Sequence, residues 1–301
     1  MKNSAVFIAV FCAMLIPGGN AFSMDKHGSH TTDYSEDTDL VVMSRPVNIQ
    51  GMTGLLITNS AYTLPEGKIA IGLSATLENS DVPNFSIAQG ALTATMGITD
   101  RLEVGLKGKM IATNLGSADN REVGTGDADL VFKYRFASQG DTLPAWALGF
   151  AYTFPTGNST KGFSEVKYEG LKLMVIGTSE KKILDDSFIG IYFEAQAVYN
   201  DEIHREGVVT NKDAYGVVNA GLLFPVSDDN RLQLALEYNK VFNKDIITLY
   251  EGNYSAFTPS LRYAGESFNV QAGVQFLSRD KTQTGTSTAD QRLIGSISYV
   301  F

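Results

Sequence analysis

From Gly67 to the last residue, apolar and polar side chains alternate with a period of two, the pattern of a strand with one apolar face. "KIAIGLSATLE" sets Ile69, Ile71, Leu73, Ala75 and Leu77 against Lys68, Ala70, Gly72, Ser74, Thr76 and Glu78. "RLEVGLKGKM" sets Leu102, Val104, Leu106 and Met110 against Glu103, Lys107 and Lys109. The same alternation recurs in "DLVFKYRF", "AWALGFAYTF", "FIGIYFEAQAVY", "RLQLALEYN", "SFNVQAGVQF" and the terminal "LIGSISYVF". With the less regular stretches around 86–98, 165–179, 213–225 and 253–264, about twelve strands of roughly ten residues are predicted, a length that suits a tilted strand crossing a bilayer.

The connections alternate too. "TDR", "SQGDT", "EKKILDD", "SDDN" and "AGE" are the shorter set. "NSDVPNF", "TNLGSADNREVG", "GNSTKGFSEV", "NDEIHREGVVTNK", "NKDIITLYEG" and "RDKTQTGTSTAD" are longer and more polar. Outer-membrane barrels have short periplasmic turns and long extracellular loops, and an even strand number brings both termini to the periplasmic side. A secreted β-sandwich also alternates, with its polar face in water. Two features favour the membrane barrel. The apolar faces carry rings near strand ends, among them Phe136, Trp146, Phe154, Tyr199, Phe224, Tyr263 and Phe276, where interfacial girdles belong. The chain also stops on an amphipathic strand that ends in Tyr299 and Phe301. The predicted fold class is therefore all-β: a transmembrane antiparallel up-and-down β-barrel following a cleaved signal peptide.

The N-terminus supplies the compartment. "MKNSAVFIAVFCAMLIPGGNAFS" has Lys2, an apolar run from Ala5 to Ile16 and then small residues, the layout of a secretory signal over residues 1–23. Cleavage after Ala21 and after Ser23 fit equally well. The run is too short for a spanning helix, which needs about 20 apolar residues. Cys12 is the only cysteine, so the mature chain has neither a disulfide nor a thiolate. Residues 24–66 precede the first clean strand. Their first part, "TTDYSEDTD", is acidic, and their second is apolar enough either to enter the lumen as a plug or to lie across the periplasmic mouth. Residues 67–301 form the barrel.

"NSAYTLPEGKIAIGLS", "GITDRLEVGLKG", "GDADLVFKYRF" and "GFAYTFPTGN" resemble an outer-membrane barrel family labelled "transporter" or "MetA-pathway of phenol degradation". The resemblance covers Thr58 to Phe301 and rests on turn-and-strand patterns. It implies passage of small solutes, organic acids or aromatic compounds among them, across the outer membrane of a Gram-negative-type envelope. "LIGSISYVF" resembles the C-terminal signal of such barrels, which implies that Tyr299 and Phe301 are read by the barrel-assembly machinery. An unpaired last strand is an exposed edge that early pairing would protect.

The net charge of −9 argues against a nucleic-acid partner, and outer-membrane lipid is the expected surroundings. His27 and His30 fall in the N-terminal segment and His204 in a predicted loop. With no cysteine beside them they read as solvated residues, so no metal and no cofactor is expected. No histidine falls within a predicted strand, which argues against the catalytic pairs of outer-membrane phospholipases and proteases. The informative set is the charge on the polar faces: Glu103, Lys107, Lys109, Lys133, Arg135, Glu194, Glu237, Arg262 and Arg292. These are the pore-lining candidates. They read either as a selectivity lining or as a paired network that fills a closed lumen. The corresponding functions are a solute channel and a structural or surface-interaction barrel. Lys107, Lys109 and Lys133 sit on strands joined by the 113–123 loop and are expected to be neighbours.

Overall fold

The computed structural model describes residues 46–301 apart from 80–84, 116–120, 141–142, 159–162, 165, 167–168, 185–186, 201–203, 206–207, 210–212, 228, 243–252 and 280–287. The predicted signal peptide, His27 and His30 lie outside the described residues.

The described strands are β1 (Ile69–Asn79), β2 (Phe85–Thr99), β3 (Leu102–Leu115), β4 (Arg121–Thr125), β5 (Ala128–Ala137), β6 (Ala145–Phe154), β7 (Gly170–Leu184), β8 (Ser187–Asn200), β9 (His204–Arg205), β10 (Val208–Val209), β11 (Asp213–Pro225), β12 (Leu232–Phe242), β13 (Tyr254–Ala264), β14 (Phe268–Arg279) and β15 (Thr288–Val300). All pairings are antiparallel between neighbours. The ring closes where β1 meets β15, from Ala70 opposite Val300 to Asn79 opposite Gln291. β4 and β5 both pair with β3 and act as two halves of one stave, interrupted at Gly126 and Asp127. β9 and β10 form a small hairpin in the connection from β8 to β11, so His204 pairs with Val209 there. The barrel thus has twelve staves, the predicted number.

Outward side chains are apolar and inward ones mostly polar, an inversion of a soluble core. Leu73, Leu92, Leu106, Met110, Ile191, Leu261 and Leu293 are half or more exposed on the outer wall. Thr93, Glu103, Lys133, Glu194, Asn219, Glu237 and Gln271 are buried inside it. In water this outer wall would be a very large exposed apolar surface; in lipid it is the correct solvent. Closure also leaves no unpaired edge in the hydrocarbon, where each unsatisfied backbone group costs several kcal/mol, on the order of a strong hydrogen bond. Aromatic rings gather towards the two ends of the wall: Phe136, Tyr263, Phe268 and Tyr299 at one, Phe154, Phe242, Phe257 and Phe276 at the other. Tyr299 and Phe301 meet edge to face at 4.8 Å.

The short turns fall on one end, as expected, with one difference. "EKKILDD", read as a connection, is largely strand, because β7 runs to Leu184 and β8 resumes at Ser187. Glu180 and Lys181 lie in this extension of the pair, beyond the run of outward apolar residues, where alternation is no longer demanded. Between β11 and β12, Ser227 Oγ donates to the Asp229 carboxylate at 2.5 Å and Arg231 N donates to it at 3.1 Å. The Ser227 bond first, then the Arg231 amide, hold this exposed carboxyl below its usual range. Asn230 adopts φ 56°, the left-handed conformation that asparagine tolerates in turns.

Candidate functional site

Residues 46–64 occupy the lumen. Their apolar side chains spread over several small clusters on the inner wall. Leu55 packs with Phe188, Tyr192, Leu223 and Ala235. Leu56 and Ile57 pack with Ile294, Met52 and Ala61 with Val131, Met174 and Ile176, and Val47 and Leu64 with Ala70. The wall is thinned to admit the backbone. A Cβ on Gly105 would lie 2.3 Å from the carbonyl oxygen of Gly51, and one on Gly97 would lie 2.2 Å from that of Pro65. Glycine is the residue that lets two backbones approach this closely.

The segment meets part of its own amides, as where Asn48 N donates to the Met52 carbonyl and Ser60 N to the Thr53 carbonyl, and the remaining ones need partners on the wall. Three inward carboxylates take six of them. Glu237 on β12 accepts from the main-chain N–H groups of Leu56 (3.1 Å), Ile57 (3.0 Å) and Thr58 (2.7 Å). Glu194 on β8 accepts from Asn59 N at 3.1 Å and from Asn59 Nδ2 at 2.6 Å. Glu103 on β3 accepts from Thr53 N at 3.0 Å and Leu64 N at 2.8 Å. Thr178 Oγ1 on β7 accepts from Ala61 N at 2.8 Å. These acceptors stand near the middle of their strands or closer to the short-turn end, so the segment fills that half of the lumen.

The nine charged candidates all point inward, and the structure divides them among four settings. Glu103 and Lys133 form an ion pair at 3.1 Å, both with fully buried side chains, and Lys133 Nζ also donates to Thr53 Oγ1 and to the Thr53 carbonyl. Glu194 and Glu237 make no ion pair among the described residues; their partners are amides. Glu194 receives Gln196 Nε2 and Asn219 Nδ2, each at 2.8 Å. Towards the short-turn end, Arg135 donates to the Asp100 carbonyl at 3.0 Å and lies 5.7 Å over the Tyr62 ring, and Arg262 is buried on β13. Beyond the segment, towards the long loops, Lys109 and Lys107 flank Asp129 at 3.5 and 4.0 Å. Lys172 on β7 also acts electrostatically on Asp129. Arg292 Nε donates to Glu78 at 2.8 Å and its Nη1 to Gln275 at 3.3 Å.

Lys133 therefore does not join Lys107 and Lys109. In the β3–β5 register Lys133 faces Glu103 while Lys107 faces Asp129. Four residues along a strand separate the two pairs, about 13 Å. Asp129 was legible by extending its strand's period two steps back from Lys133, and Glu78 already stood on the polar face of its strand. The amide donors of residues 46–64 have no side-chain signature at all.

At the long-loop rim, Asp127 is fully buried and accepts from Gly157 N at 2.8 Å, Ser164 Oγ at 2.9 Å and Val166 N at 3.1 Å. It ties the described part of the β6–β7 connection down onto the break between β4 and β5. His204 lies on β9, in the small hairpin between β8 and β11. Among the described residues no three His, Cys, Asp or Glu side chains are grouped as a metal site.

The chain is similar to the COG4313 outer membrane channel from Pseudomonas putida F1. The two are 13% identical with a TM-score of 0.55, over 80% of this chain and 98% of that one. Weaker likeness extends to the KdgM porin, 8% identical with a TM-score of 0.48 over 77% of this chain and 99% of that one. The CymD monoaromatic hydrocarbon channel is 12% identical with a TM-score of 0.45 over 87% and 98%. No family model and no curated protein matches the sequence; the solved structures bear out the outer-membrane barrel fold, and the phenol-degradation family label has no sequence match behind it.

Proposed function

We propose that this protein is an outer-membrane channel that passes a small solute, with residues 46–64 acting as a plug in the periplasmic half of its lumen. The observation that carries the reading is the division of the lumen. One half is packed with plug and buried carboxylates, and the other carries the cluster of Lys107, Lys109 and Asp129, in which Lys107 and Asp129 are partly exposed and Lys109 is buried. A barrel serving only as a scaffold has no need of a basic cluster above a separately held segment. The basic excess there suits small anions, organic acids among them, because low-dielectric walls focus the field of a few charges. Outward apolar faces and aromatic ends support residence in the outer membrane, and Tyr299 with Phe301 serves as the assembly signal.

The packing of the plug favours one competing reading, a closed structural barrel. Single-channel recording of the refolded full chain in a planar bilayer separates them. A channel gives discrete conductance that rises when the plug is unseated. Silence both in the full chain and after removal of residues 46–64 would leave the closed barrel.

A further inference from the structure

The plug decides which lumen charges meet water. With residues 46–64 in place, the partly exposed inward charges of the other half are of both signs, Lys107 and Lys172 against Glu122 and Asp129, while Lys109 is buried beside Asp129. Glu194 and Glu237 are covered, at 0% and 1% exposure. Glu103 has its own cation in Lys133, and Arg292 stands between Glu78 and Asp290, so these groups keep their partners in either state. Glu194 and Glu237 are different. The charge of each is met by N–H dipoles, and the Glu237 donors all belong to the plug. If the plug leaves, Leu56, Ile57, Thr58 and Asn59 carry their amides away. Glu194 keeps Gln196 and Asn219, and both carboxylates face the lumen.

β8 and β12 are separated only by β11, so the two carboxylates stand about 10 Å apart around the wall. Carboxylates lining a narrow passage between low-dielectric walls select cations. Arg135 and Arg262 lie nearer the periplasmic mouth, outside this plane. Resting on the channel reading above, we infer that the plug masks an acidic selectivity plane formed by Glu194 and Glu237. Unseating it exposes that plane and shifts the channel towards cations.

The test is the reversal potential of the full chain in a potassium chloride gradient, on variants first shown to be heat-modifiable barrels. Leu56→Glu unseats the plug, because Leu56 packs with Ile57 and Ile294 and its amide lies on Glu237. Removal of residues 46–64 provides a second unseated form. Ser60→Cys with Thr178→Cys pins the plug under oxidation, since the two hydroxyl oxygens lie 3.5 Å apart. The pinned form should keep the full chain's starting selectivity, with low conductance. Both unseated forms should conduct more and shift the cation-to-anion permeability ratio roughly threefold or more towards cations. Adding Glu194→Gln and Glu237→Gln to either should abolish the shift. Greater conductance without the shift, or a shift that survives the two Gln substitutions, overturns this inference and leaves the channel standing. No conductance above leak in any form overturns the channel reading itself, and this inference with it.

Discussion

Glu237→Ala tests how the plug is held. The substitution removes the acceptor of three consecutive amides, at 3.1, 3.0 and 2.7 Å, from a site that is 1% exposed. A buried donor left without a partner costs about 1–3 kcal/mol, which gives roughly 3–9 kcal/mol for three. Two effects reduce this. The mutant no longer buries a carboxylate, and the vacated volume next to three donors is polar enough to admit water. A net loss of about 2–5 kcal/mol from plug seating is expected, or roughly 30-fold to several thousand-fold in the unseated fraction at 1.4 kcal/mol per decade. The assay is the labelling rate of Ser60→Cys by a maleimide, because Ser60 is buried between plug and wall and reacts only when the plug opens. Glu237→Ala should accelerate labelling by at least tenfold on the conservative side of that range. Glu78→Ala, which breaks an ion pair with Arg292 away from the plug, should leave it within about twofold. If Glu237→Ala leaves the rate unchanged, the carboxylate does not hold the plug, and the apolar clusters around Leu55 and Leu56 do.

Lys133→Met leaves Glu103 buried without its cation and should destabilise the barrel-plug unit by about 3–5 kcal/mol, read from the thermal midpoint in detergent; the double variant with Glu103→Gln should recover part of that loss. Changing Lys107 and Lys109 to Glu should move the seated channel's reversal potential towards cations, whereas Lys133→Glu should act on stability and not on selectivity. A shift of equal size from Lys133 would put it back in the same lining. Replacing Tyr299 and Phe301 together by Ser should leave unfolded chain in the periplasm, and a normal heat-modifiable barrel would show that the terminal rings are not recognised. A cysteine at Pro155 should be labelled from outside intact cells and one at Glu266 should not; the reverse pattern would invert the topology.

Strand number, the apolar faces of the regular strands and nine of the inward charges were open to reading in the sequence. A β-strand writes its two faces at alternate residues, and a barrel in lipid must keep one of them apolar along its whole length. That is why Leu73, Leu106 and Leu261 could be placed outside, and Glu103, Lys133 and Glu237 inside, without a structure. Which inward charges meet was not legible. Partnership depends on the register between strands and on what lies across the lumen, neither of which leaves a trace in periodicity. Lys133 looked like a neighbour of Lys107 along the chain, but the β3–β5 register gave it to Glu103. Residues 46–64 were apolar enough to suggest a plug and equally a cover. Only the tertiary structure brings their amides onto Glu103, Glu194 and Glu237, because a main-chain N–H is common to every residue but proline and marks no position in a sequence.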